Sequence, residues 1–72
     1  MSPAPKTIRL LDVVALTDDV AEKSLVRGQV GTIVELLAPD IFEVEFADDA
    51  GRTYAQVPLR ADQLLVLHYE PV

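Results

Sequence analysis

A chain of 72 residues with 6 Lys and Arg against 12 Asp and Glu, a formal net charge of −6 and no cysteine excludes several classes of protein before any segment is read. The length supports one domain, and a chain this short buries only about 60% of its unfolded surface, so the core must come from the 50% of residues that are hydrophobic, without disulfides or thiolate metal sites. The charge has the wrong sign for neutralising phosphates, which opposes nucleic acid as a partner and favours a basic protein.

Residues 1–7, with Pro3 and Pro5, are expected to form a flexible lead-in, leaving 8–72 as the folded domain. Arg9 and Asp12 interrupt any secretory apolar stretch, and no apolar run approaches the roughly 18 residues that cross a bilayer. A cytoplasmic location away from membranes is the expectation. "LLDVVAL" predicts a first strand over Asp12 to Leu16, ended by the turn formers Asp18 and Asp19. "TDDVAEKSLVRG" is polar enough for a surface loop, with room for one helical turn over Val20 to Lys23 behind a Thr17 or Asp18 cap. Val20 and Leu25 are the expected anchors that tuck this loop back onto the core.

The longest strand is predicted over Val30 to Leu37. Its apolar residues Val30, Ile33, Val34, Leu36 and Leu37 do not alternate strictly, as expected of a strand that bends. Pro39 and Asp40 turn the chain. "IFEVEFA" alternates cleanly, Phe42, Val44 and Phe46 against Glu43 and Glu45. "DDAG", Asp48 to Gly51, fits a type I turn with Gly51 at positive φ. "RTYAQVPL" is the return strand, in which Pro58 removes a ladder donor. "RADQL" reads as a single helical or 3₁₀ turn and "LLVLHYE" as a short closing strand.

This order of elements describes an all-β fold, a small five-stranded SH3-like barrel with a short 3₁₀ turn before the last strand. A two-sheet sandwich usually needs about 100 residues. The expected core includes Val14, Ile33, Phe42, Val44, Phe46, Val57 and Leu65. "RGQVGTIVE" is similar to the loop-to-strand corner of SH3-like barrels of the KOW type and of nitrile hydratase β-subunits. From "LLDVVAL" through "RGQVGTIVE", "FEVEF" and "GRTYA" to "QLLVL", the chain resembles a family of small bacterial proteins known as domain of unknown function 4926. That resemblance implies the fold and carries no catalytic or ligand residues, while the nitrile hydratase likeness implies an accessory role by analogy.

Gly28 and Gly31 open the bent strand. A corner that needs positive φ and a strand crossing too close for a Cβ both select glycine, whereas a phosphate cradle would need a helix where β-branched residues follow. Gly28, Gly31 and Gly51 are therefore read as structural corner and turn positions. His68 is the one histidine and has no visible nucleophile or orienting partner, so it is read as a surface or edge-strand residue. Asp18 with Asp19 and Asp48 with Asp49 lack calcium-loop spacing and fall where turn residues belong. Arg52 beside Tyr54 would suggest a stacking patch in a basic domain, but not in this acidic one.

Glu43 and Glu45 share one strand face, with Glu35 expected on the neighbouring strand. Their plainer reading is a solvated face that discourages edge aggregation; their functional reading is partner binding. The expectation is a non-enzymatic interaction or accessory module, antitoxin-like or immunity-like in kind, that binds a basic protein through Glu35, Glu43 and Glu45. It has no catalytic residue, no metal and no cofactor. A KOW-like nucleic-acid or ribosome-associated domain is the alternative.

Overall fold

Strand alternation and turn chemistry produce five strands in the computed structural model, which describes residues 8–68. They are β1 (Val13–Leu16), β2 (Val30–Ala38), β3 (Ile41–Ala47), β4 (Thr53–Arg60) and β5 (Leu64–Val66), with 3₁₀ turns at Ala21–Lys23 and Ala61–Gln63. All five join one antiparallel sheet in the order β4-β3-β2-β1-β5. The fold is all-β, with the expected 3₁₀ turn ahead of the last strand. The closing strand is shorter than expected, ending at Val66 with Leu67 and His68 beyond it; the expected lead-in over 1–7 and the stretch from residue 69 lie outside the described residues.

The long strand β2 serves both halves of the sheet. Its start pairs with β1, Val30 opposite Ala15 and Thr32 opposite Val13, while Gly31 to Ala38 pairs with β3. Register shifts between Ile33 and Glu35 and between Leu36 and Ala38 interrupt the β2–β3 ladder, and such bulges sharpen local bend and twist. One buried cluster then draws on every strand: Val14 and Leu16, Ile33, Phe42, Val44 and Phe46, Val57 and Leu59, and Leu64. A single sheet whose strands all feed one core must curl over it, because no second layer is present among the described residues.

The loop from Thr17 to Arg27 completes the core with Val20 and Leu25, which are buried and bridge each other. The predicted helical turn is present as the 3₁₀ segment, but without the expected cap: its N-cap is Val20, with no side-chain bond. Thr17 is engaged elsewhere, its N–H donating to Gln63 O at 2.9 Å and its Oγ1 to Asp62 O at 3.3 Å, so it ties the loop to the second 3₁₀ turn.

One core assignment is corrected. Leu65 is 48% exposed, and its neighbour Leu64 is fully buried instead. In "LLVL" the side chains carry no alternation that marks an inward residue, so the face is set by pairing. Leu64 lies opposite Leu16 and Leu65 opposite Ala15, and residues paired across an antiparallel ladder share a face.

The turn before β1 contains a backbone outlier. Leu11 adopts φ 70° although it is 76% exposed, held there by its N–H donating to Ile33 O at 2.7 Å and by the bond from Asp12 N–H to Arg9 O at 3.1 Å. A branched residue in the left-handed region carries strain that Asn largely avoids. Leu11→Asn is therefore expected to raise stability by about 0.5–1 kcal/mol, measured by urea unfolding. A loss of stability would show that the leucine side chain makes a favourable contact despite its exposure.

Candidate functional site

The outer face of the sheet can be assembled row by row, since directly paired residues point the same way. Leu65, Ala15 and Val30 form one row across β5, β1 and β2. Val13, Thr32, Glu45 and Gln56 form the next, across β1 to β4. Glu35, Glu43 and Pro58 form the third. All three sequence-predicted glutamates thus lie on one face, and the arrangement is closer than their spacing suggests: Glu35 is the direct cross-strand partner of Glu43.

The bulge in β2 creates that pairing. Ile33 lies opposite Val44, and the next β3 residue, Glu43, meets Glu35 because Val34 is left over in the register shift. An unbulged ladder would have set Val34 against Glu43. Like charges directly opposite each other destabilise a sheet, and no cation among the described residues pairs with either. The ion pairs among the described residues are Arg52 with Asp48 at 3.9 Å and Arg60 with Asp62 at 3.0 Å. Glu43 Oε2 accepts a bond from Gln56 Nε2 at 3.2 Å, which orients that carboxylate without neutralising it.

The remaining candidates resolve into structural roles. Gly28 and Gly51 have φ of +91° and +84°, and a Cβ at Gly31 would stand 2.7 Å from Val44 Cγ1 and 2.9 Å from Glu45 O. The two reasons for glycine are therefore divided between the pair, backbone conformation at Gly28 and space at Gly31. Asp19 Oδ1 accepts the Arg27 N–H at 2.8 Å, and Asp48 Oδ1 accepts those of Ala50 and Arg52 at 2.9 Å each. Those carboxylates hold backbone turns. Among the described residues, no three His, Cys, Asp or Glu side chains gather in a metal-binding group.

Tyr54 and Arg52 do not act as one patch. Arg52 reaches Asp48, whereas the Tyr54 ring tilts against Phe46 with centroids 6.3 Å apart, and its Oη accepts a bond from Gln29 Nε2 at 2.9 Å. His68 is exposed and lines a shallow cleft with Arg9, Asp12, Val66 and Leu67. A second cleft runs between Val20, Lys23, Ile41, Pro58 and Arg60. Neither includes Glu35, Glu43 or Glu45.

Sequence reasoning missed the row beside the acids. Leu65 and Val30, 48% and 47% exposed, flank Ala15 on the outer face, so that face passes from apolar over β5 and β1 to acidic over β3. No helix among the described residues is long and apolar enough to cross a membrane.

The family described as Domain of unknown function (DUF4926) matches residues 10–66. No curated protein and no solved structure matches the chain.

Proposed function

This chain belongs to the DUF4926 family, and from that premise we propose that it is a non-enzymatic interaction module, an SH3-like barrel of the bacterial cytoplasm, that recognises a basic protein through Glu35, Glu43 and Glu45. The observation that carries the reading is the Glu35–Glu43 pair, two carboxylates in direct cross-strand register with no cation bonded to either among the described residues. A lysine or arginine brought by a partner relieves that repulsion on binding. The net charge of −6 extends the same preference to long range, where it accelerates encounter with cations and suppresses encounter with phosphates. Nucleic-acid binding is the weaker reading because its phosphates would meet these carboxylates. An accessory, antitoxin-like or immunity-like role is the setting in which so small a binding module would operate.

The test begins with capture of the bound partner from the native host, followed by association kinetics with the Glu43→Lys/Glu45→Lys variant. The melting temperature should hold or rise slightly, since the first of these substitutions sets an opposite charge directly across from Glu35. Association should slow by about tenfold at low salt and by less as screening grows. Rates equal to the parent's across the salt series would reduce the glutamates to a solvated face and move recognition to the loop over 17–27.

A further inference from the structure

The glutamates share their face with an apolar surface that nothing in the described chain covers. Leu65 and Val30 are half exposed on either side of Ala15, and Val13 continues the apolar area along β1 towards the row that holds Glu45. Neighbouring strands stand about 4.8 Å apart, so β1 and β3 are separated by roughly 10 Å, close to the 10–12 Å diameter of a helix with its side chains. We propose that this face docks an amphipathic basic helix of another protein, lying along β2 with its apolar flank on Leu65, Ala15 and Val13 and its lysines or arginines over Glu43 and Glu45.

This inference rests on the reading of the glutamates given above and adds the shape and apolar half of the partner. The two chemistries on the face lie on opposite sides of β2, and a helix presents two flanks at that separation. An extended segment running along the strands is one strand wide and covers only one of them. A second copy of the chain fits poorly, because it brings its own charge of −6 and its own glutamates to the contact. Val30 and Thr32 lie on the strand beneath the helix, and Glu35 follows them along β2 beside Glu43.

Three fluorescein-labelled peptides of one length test it against the full chain by anisotropy. The first carries leucines on one flank of a helix and lysines on the other; the second is a scramble of the same residues; the third replaces lysine with glutamate. The first should bind about tenfold tighter than the scramble, gain helical circular dichroism on binding, and shift the amide resonances of Val13, Ala15, Val30, Glu43, Glu45 and Leu65. The glutamate peptide should not bind. Leu65→Thr and, separately, Val30→Thr should weaken the first peptide while leaving the scramble unchanged, with melting curves confirming that each variant is folded.

Equal binding of the scramble, or indifference to both threonine variants, overturns the helix and leaves the acidic reading intact. Failure of Glu43→Lys/Glu45→Lys to weaken the first peptide removes both, whereas failure of that peptide to bind at all overturns the helix and leaves the acidic reading to the partner kinetics described above. A dimer in sedimentation that Leu65→Thr dissolves would assign the apolar row to a second copy and likewise overturn the inference.

Discussion

Phe46→Ala is expected to cost about 3–5 kcal/mol, the range for truncating a fully buried aromatic residue. Phe46 is 0% exposed and belongs to the buried cluster, with the Tyr54 ring against it. Its removal takes away both the transfer free energy and the contacts lining the space it fills. Two features limit collapse into that space. Phe46 lies opposite Gly31 and Ala55, neither of which has a side chain long enough to fill the gap, and the adjacent backbone is fixed in a sheet. For a domain of this size the loss corresponds to a fall in melting temperature on the order of 20 °C, and small domains have only about 5–15 kcal/mol in total. Thermal unfolding followed by far-ultraviolet circular dichroism measures it directly. A variant that melts with the parent would mean that the "FEVEF" face is assigned the wrong way round.

Gly31→Val should be the second large effect, at least about 2 kcal/mol from overpacking. The new Cβ alone would stand 2.7 Å from Val44 Cγ1, 2.9 Å from Glu45 O and 3.0 Å from Phe46 Cδ1. The valine can rotate and the phenylalanine can shift, but the carbonyl belongs to the β3 ladder and yields only if the strands separate. The combination with Phe46→Ala distinguishes these contributions, because neighbouring substitutions that share a space are not additive. Removing the ring should recover part of the Gly31→Val cost and leave the part due to the carbonyl. Full additivity in urea titrations would show that the ring never shared the space. By contrast, a Cβ at Gly28 or Gly51 would meet no atom within 4 Å, so their requirement for glycine comes from positive φ alone.

How far the chain can be read in advance depends on whether a segment's pattern or its neighbours decide its structure. "IFEVEFA" is legible because strict alternation assigns each residue a face wherever the strand is placed. "DDAG" is legible because Asp48 caps the turn through its own carboxylate and Gly51 takes the positive φ. Val20 and Leu25 are apolar residues in a polar loop and both are buried, whereas Val26, adjacent to Leu25, is 56% exposed, so the loop's composition marks the anchors but its fold chooses between neighbours. "LLVL" is not legible, since adjacent leucines fit either phase of the strand and only the pairing with Leu16 and Ala15 chooses Leu64.

The candidate site divides along the same line. That Glu43 and Glu45 share a face follows from the two-residue period of β3. That Glu35 faces Glu43 follows from the register shift that leaves Val34 unpaired, and nothing in "TIVELL" marks which residue that will be. The apolar row of Leu65, Ala15 and Val30 required three segments from different parts of the chain to meet. Local patterns, then, determined by themselves the strand composition, the turns and the face of the most regular strand, because these depend on interactions within a few residues. Tertiary structure alone decided register, the phase of β5 and the meeting of apolar and acidic rows on one outer face. Those depend on hydrogen bonds between distant segments and on the close approach at Gly31, where a ladder slipped by one residue would turn every side chain to the opposite face.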